Sequence, residues 1–287
     1  NDENAAPSGG FAAVELLVEG NEKQAREFCD VIDSYNQDRK NIDRSVTQEA
    51  HDYIESHPEL KQRKSTVIYN PKWMKGIVGI VASRLIETFY RPTVVLTQSN
   101  GFVTGSARSI AGFDLYQAVE SCSDLLENFG GHMYAAGLTM KPENVEEFKR
   151  RFNAYVEENI DPQMLIPQVE ADSMLSFADI TPRFFADLNR FQPFGPGNTL
   201  PIFATAGCVD SGKAKRVGAD LEHLRIDLFQ RDQSTETIQA IAFQQSQHYE
   251  WVRSGRPIDI CYQIVENHYR GTVSKQLRVK DIKPERK

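Results

Sequence analysis

In the first sixty residues apolar side chains recur at three-and-four spacing. Phe11 to Leu17 carry the first stretch, then Ala25, Phe28, Val31, Ile32, Tyr35, Ile42, Val46, Ala50 and Ile54, with charged residues filling the intervals. This spacing predicts two helices broken at Gly20-Asn21, Asn21 capping the second. At 1.5 Å per residue the segment from Asn21 to Glu55 would form a rod of about 50 Å.

From Ser65 the period shortens. Thr66 to Tyr69 predicts a strand ended by Asn70-Pro71, and Gly76 to Tyr90 a helix whose Val78, Val81, Ala82 and Leu85 face inward. Thr93 to Thr97 and Gly101 to Ala107 predict two strands joined at Asn100-Gly101, a hairpin signal. Phe113 to Phe129 is expected to be helical, Ala135 to Met140 a strand, and Val145 to Ile160 a helix capped by Asn144. Strands alternating with helices argue for a mixed α/β sheet covered on both faces.

Asp161-Pro162 and Pro167 mark a boundary. Beyond a helix over Thr181 to Phe191, with Pro182 in its first turn, the texture is all-β. Phe203 to Cys208, Leu224 to Phe229, Thr237 to Phe243, Pro257 to Glu266 and Leu277 to Ile282 predict five strands, with a helix over Gln244 to Arg253 between the third and fourth. Five strands and one helix are compatible with a β-barrel of the OB type, a pattern that small barrels share with sandwiches. The expected division is a helical connector (1–62), an α/β domain (63–161) and an OB-like barrel (162–287).

Composition narrows the class. With 287 residues, 40% apolar and 25% charged, the chain reads as globular, and no run approaches the ~18 apolar residues of a membrane helix. The start lacks the basic and apolar regions of a signal peptide; without an initiator methionine, it is what a processed or truncated chain would show. Cys29, Cys122, Cys208 and Cys261 are dispersed, with no Cys-x-x-Cys, which favours reduced thiols and a cytoplasmic location. The net charge of −7 is unevenly spread: residues 1–60 hold 14 acidic and 5 basic side chains, whereas the remainder holds 26 and 28. A balanced remainder leaves room for a local basic groove.

The candidate chemistry lies in two glycine-rich segments, Gly105-Ser106-Ala107-Arg108-Ser109 and Gly130-Gly131-His132. Glycine lets an anion approach the backbone and reaches the positive-φ conformations that turn successive N–H groups toward one point. Arg108 can then grip a phosphate through a two-pronged fork, Ser106 or Ser109 adding a hydroxyl and His132 a ring N–H. Two loops flanking one helix would bring them to one sheet edge. In the barrel region, Lys213, Lys215 and Arg216 cluster in one turn. His268, Tyr269, Arg270, Lys275 and Arg278 surround a hairpin at Gly271. Cations interleaved with aromatics suit base stacking and backbone neutralisation.

The two glycine-rich segments, with Trp73 to Leu85 before them and Phe194-Gly195-Pro196-Gly197-Asn198 after them, resemble the RecJ-like exonucleases of the DHH phosphoesterase superfamily. The likeness runs from about residue 11 to the C-terminus. It implies a DHH-associated domain followed by an OB-like domain, and a parent enzyme that degrades single-stranded DNA 5′→3′ in repair and recombination. It also implies Mn or Mg for the full-length enzyme and a metal-binding DHH domain N-terminal to everything present here. Single-stranded DNA is the expected partner; a single-strand-binding protein or a helicase are candidate protein partners. The histidine that follows Trp in such chains is Met74 here, so its contact is not carried over. Trp73 itself is either a stacking platform or part of the core.

A two-metal phosphoesterase needs clustered Asp and His. This sequence has no Asp-x-Asp, no His-His and no His-Glu-x-x-His, and its histidines (51, 57, 132, 223, 248 and 268) are scattered. No catalytic residue and no metal ligand is therefore assigned, no cofactor is expected, and the chain should bind strands without cleaving them. An oligonucleotide phosphodiesterase of the same superfamily, the C-terminal domain of an alanyl-tRNA synthetase and a non-catalytic binding module share parts of the pattern. The added β-domain favours the RecJ-like reading.

Overall fold

The N-terminal spacing folds as α1 (Gly9–Val18) and α2 (Glu22–Glu55), in a computed structural model that describes residues 9–231, 237–269 and 271–285. Asn21 caps α2, its Oδ1 accepting from the amides of Lys23 at 3.0 Å and Gln24 at 3.4 Å. Contacts divide the chain into two compact units, Asn1–Pro167 and Gln168–Lys287.

In the first unit a one-turn helix α3 (Pro58–Lys61) leads into β1 (Thr66–Tyr69), α4 (Val78–Phe89), β2 (Thr93–Ser99), β3 (Phe102–Arg108), α5 (Leu115–Glu120), β4 (Leu126–His132), β5 (Ala135–Met140) and α6 (Val145–Asn159). The strands form one sheet in the order β1-β2-β3-β5-β4, parallel only between β1 and β2. The β2–β3 hairpin turns at Asn100 (φ 52°) and Gly101 (φ 81°), the paired positive φ of a type I′ turn.

Two sequence expectations fail here. Phe113 to Phe129 is not one helix: α5 stops at Glu120, and Leu126 to His132 pairs with β5 instead. Leu125, Leu126 and Phe129 have helical spacing, but a partner strand with free ladder groups decides such short apolar runs. Asn144 does not cap α6 with its side chain; it lies in a preceding 3₁₀ turn and its side-chain Nδ2 donates to the Leu125 carbonyl at 2.8 Å.

Alternation along the strands gives the sheet two faces. One buries Val94, Leu96, Val103, Ala107, Leu138 and Met140 with residues of α5 and α6. The other buries Ile68 and Val95 with Val46, Ala50 and Ile54 of α2 and Val78, Val81, Ala82 and Leu85 of α4. Only the C-terminal half of α2 joins this core. Asp43 fastens it there: 2% exposed, it accepts from Arg84 of α4 at 3.1 Å from Nε and 2.8 Å from Nη2. Arg91, also buried, ties the chain between α3 and β1, donating to Thr66 Oγ1 and to the Lys61 and Arg63 carbonyls.

The second unit holds β6 (Ser173–Met174), α7 (Pro182–Asn189), β7 (Phe203–Asp210), β8 (Lys215–Val217), β9 (His223–Gln230), β10 (Ile238–Ala242), α8 (Tyr249–Arg253), β11 (Ile258–Tyr269) and β12 (Thr272–Pro284). Strand pairing closes a ring, β7-β11-β12-β10-β9 and back to β7, with only β10–β12 parallel within it. That connectivity, with α8 between the third and fourth ring strands, is an OB barrel. Inward positions alternate along each strand, as in Leu224, Ile226 and Leu228, and the Tyr262 hydroxyl bonds Thr205 Oγ1 at 2.8 Å inside.

Replacing Asp43 with Ala should lower unfolding free energy by about 2 kcal/mol, because the core loses a charge-assisted pair while half-exposed Arg84 escapes to water. Urea denaturation checks this; an unchanged midpoint would show that α2 is not held by the pair.

Candidate functional site

The glycine-rich segments are strands, not loops. Register places them in rows across the sheet: Val95-Ser106-Gly137-Gly130 and Thr93-Arg108-Ala135-His132, with Thr97-Thr104-Thr139-Asn128 beside them. All three rows lie on the face that α4 covers at one side. Toward β4 that face is open, with Asn128, Gly130, His132 and Gly137 exposed. Lys75, Val78, Thr104, Ser106, Asn128, Gly130, Gly137 and Thr139 line a cavity of about 410 Å³ there.

The glycines do different jobs. Gly105 turns its missing Cβ toward the core, where a methyl would collide with Leu96 and sit 3.0 Å from the Val95 carbonyl. Gly131, at φ 154°, has no room either, because a Cβ there would strike the Ala135 carbonyl. These two are required by packing. A Cβ at Gly130 or Gly137 would meet nothing within 4 Å, so these two keep the cavity floor flat without being needed by the sheet. The expected positive-φ cradle is absent: Gly105 and Gly130 have ordinary strand φ and their backbones belong to the ladder.

Arg108 is half-buried, with no carboxylate partner among the described residues; Nη1 donates to the Ala107 carbonyl at 2.9 Å. A Cβ placed on Gly79 would lie 3.0 Å from Arg108 Nη2 and 3.1 Å from Ser106 Oγ. Both side chains therefore press against the first turn of α4. That helix start has no side-chain cap, and the Val78 and Gly79 amides find no partner among the described residues. An open helix N-terminus, Arg108 and Lys75 add positive potential to one spot.

His132 sits in the same row as Arg108, two strands away, or about 9.5 Å at ordinary strand spacing. Its Nδ1 accepts from the Tyr134 amide at 3.3 Å, which leaves Nε2 to carry the proton of the neutral ring. Ser109 departs from its expected role, because its hydroxyl donates to the Phe113 carbonyl at 2.7 Å and closes the turn after β3. Trp73 is 7% exposed in the α2–α4 core and is no stacking platform. Neighbouring Met74 is exposed.

On the barrel, register aligns Lys215, Arg225, Ile241, Arg278 and Gln263 in one outward row from β8 to β11. Phe243, 48% exposed, packs edge-on against His223 at 5.0 Å, and His223 is two residues from Arg225 on the same face. Lys213 is exposed in the turn before β8, which Asp210 holds by accepting from the Gly212 and Ala214 amides. Two expected contacts are engaged elsewhere. Arg216 lies over Tyr249 at 4.6 Å and faces Glu250 at 3.5 Å. Lys275 is half-buried, 3.5 Å from the Ile180 carbonyl and over Phe185. Tyr269 ends β11, while its side chain, that of His268, and Arg270 lie outside the described residues. Arg225, Phe243, Lys75, Asn128 and Thr139 escaped the sequence reading; strand alternation from Leu224 would have turned Arg225 outward.

Among the described residues no three His, Cys, Asp or Glu side chains gather in a group that could hold a metal ion. The thiols do not form a reactive centre: burial pushes the Cys122, Cys208 and Cys261 thiols upward, and exposed Cys29 lies on α2.

Comparison with known proteins agrees with this architecture. Residues 63–158 match the DHHA1 domain and residues 171–281 the RecJ OB domain. The single-stranded-DNA-specific exonuclease RecJ of Bacillus subtilis is 32% identical over 271 residues, covering 94% of this chain and 34% of that protein. The protein of the same name from Salmonella typhimurium is 32% identical, covering 94% and 47%. RecJ of Thermus thermophilus, solved in complex with Mn²⁺, superimposes with a TM-score of 0.74 at 26% identity, over 96% of this chain and 39% of its own. The chain thus spans between a third and a half of the length of these relatives. With both domains matched in tandem and the fold shared across nearly its whole length, the chain belongs to the RecJ family.

Proposed function

We propose that this chain is the substrate-gripping part of a metal-dependent, 5′→3′ single-stranded DNA exonuclease that acts in repair and recombination in the cytoplasm. The observation that carries the reading is Arg108: a half-buried cation without an acid partner among the described residues, beside an uncapped helix start and one row from Ser106, Gly137 and Gly130, which line the cavity. Such a spot is electrostatically incomplete until an anion enters it. Ser106 adds a hydroxyl from the same row as the floor, and His132 offers Nε2–H from the open side. A terminal 5′-phosphate is the anion that fits, since the cavity is closed by α4 on one side and open toward β4 on the other. The fork of Arg108 takes two phosphate oxygens, and the glycine floor lets the following sugar lie against the backbone.

The barrel supplies a second grip on single strands. Lys215, Arg225 and Arg278 neutralise successive phosphates, while Phe243 supplies a face on which a base stacks. Hydrolysis needs the divalent cations that the resemblance assigns to a DHH domain, and among the described residues no side chains group to hold them. Accordingly the chain binds single strands, and the DHH domain supplies the cleavage chemistry. A single-strand-binding protein or a helicase would deliver the strand to it. The closed barrel and the RecJ OB match favour this over an oligonucleotide phosphodiesterase.

Arg108→Ala should weaken binding of a 5′-phosphorylated oligonucleotide about 10- to 150-fold, from loss of roughly 1.5–3 kcal/mol, and spare the 5′-hydroxyl form. Arg108→Lys should fall between, keeping charge without the fork. Gly137→Val should weaken the same binding without lowering the melting temperature, whereas Gly131→Ala should destabilise the fold. Equal affinity for both 5′ ends in the unsubstituted chain would sink the terminal-phosphate reading.

For the barrel, the plot of log affinity for single strands against log salt should flatten by roughly 0.7 for each of Lys215→Ala, Arg225→Ala and Arg278→Ala. Slopes unchanged by all three would place the strand elsewhere. The chain alone, given Mn²⁺ or Mg²⁺, should release no nucleotides from single-stranded DNA; EDTA-sensitive degradation would overturn the division of labour.

A further inference from the structure

Glu49 lies on α2, outside the cavity, yet its carboxylate holds the segment that forms one cavity wall. Oε1 accepts from Asn70 Nδ2 at 2.8 Å and Oε2 from Trp73 Nε1 at 3.0 Å. Both donors belong to the stretch between β1 and α4. That stretch is fastened at three further points. The Asn70 amide donates to the Leu96 carbonyl at 3.1 Å, the Lys72 amide to Asn70 Oδ1 at 2.9 Å, and Thr97 Oγ1 to the Trp73 carbonyl at 2.5 Å. Lys75 and Val78, which line the cavity, follow Trp73 directly, and Gly79 comes next, against Arg108 and Ser106.

We propose that Glu49 is a positioning residue for the anion pocket: by bridging Asn70 and Trp73 it sets the approach of Lys75 and of the α4 N-terminus to the phosphate. The proposal rests on the phosphate reading above and adds a residue that never touches the ligand. The physical reason is leverage. Trp73 is buried, and its indole N–H donates to Glu49 Oε2. Without Glu49 that donor must turn toward water, and the short link to Lys75 and Val78 turns with it. The other fastenings act on the backbone beside the sheet, so the segment stays attached while its far end loses its orientation. A glutamine at 49 retains one acceptor oxygen for two donors, so it rescues only in part.

The test uses the full chain and two probes, an oligothymidylate with a 5′-phosphate and the same strand with a 5′-hydroxyl. The readout is the ratio of their affinities, alongside Trp73 emission in a Trp251→Phe background. Glu49→Ala should cut the 5′-phosphate preference about tenfold, since displacing a wall by a fraction of an ångström degrades an aligned site. It should also shift the emission. Glu49→Gln should give an intermediate ratio, and Trp73→Phe, which keeps the packing and removes the donor, should resemble it. A role confined to stability would lower the melting temperature and leave the ratio untouched. If Arg108→Ala abolishes the preference while Glu49→Ala and Glu49→Gln preserve it, the positioning role is overturned and the pocket stands. If Arg108→Ala has no effect on the ratio either, both fall. Should Glu49→Ala not fold, the isosteric Glu49→Gln and Trp73→Phe decide the matter by the same ratio.

Discussion

Helix α4 packs closely on β3 at Gly79, where a Cβ would lie 3.0 Å from Arg108 Nη2 and 3.1 Å from Ser106 Oγ. That contact governs the first unit. It brings an uncapped helix start to the middle of a sheet face, turns the guanidinium of Arg108 beside it, and leaves the strands beyond β3 bare on that side. A larger residue at 79 would crowd Arg108 Nη2 and Ser106 Oγ at the start of the helix. The pocket is therefore a consequence of close packing, and its chemistry is inherited from the position of one helix.

Coverage of the sheet is unequal, and the inequality is what makes a site. One face is sealed by α5 and α6 over an apolar layer. The other carries α2 and α4 over Ile68 and Val95 and then opens at β5 and β4. Polar and small residues on the open part, Asn128, Thr139, Gly130 and Gly137, would be expensive in a core and cost nothing facing water. Two polar clamps hold the covering helices, Asp43 with Arg84 and Glu49 with Asn70 and Trp73. A long helix with most of its N-terminal half outside the core thus acts on the geometry of the pocket through its C-terminal half.

The barrel solves a different problem. Closing five strands removes the sheet edges and sends every second side chain inward, which leaves the outer positions free to collect charge. Lys215, Arg225 and Arg278 are far apart in the chain, yet they share a row because β8, β9, β10 and β12 are neighbours. Other cations near the same turns are held by Tyr249, Glu250, Ile180 and Phe185. A basic residue in a hairpin is thus no guide to strand contact until its neighbours are known.

Periodicity in the sequence was enough to locate α2 with its Asn21 cap, the β2–β3 hairpin at Asn100-Gly101, β5, α6, and the five ring strands with their helix. These are local outcomes, set by side-chain spacing, capping oxygens and backbone freedom at glycine. The residue types of Arg108, Ser106, Gly130 and His132, unusual for a core, marked out two segments that the fold lays on one sheet face, Arg108 and His132 in one row and Ser106 and Gly130 in the next. Tertiary structure alone decided that Leu126 to His132 is a strand, since only β5 offers the ladder that overrides helical spacing. It decided that Ser109 and Trp73 are structural and that Gly105 serves packing. Lys75, Glu49 and the start of α4 came to the pocket through contacts between segments distant in the chain. Spacing along a sequence records which face a residue takes within its own element; which element lies opposite depends on the whole fold.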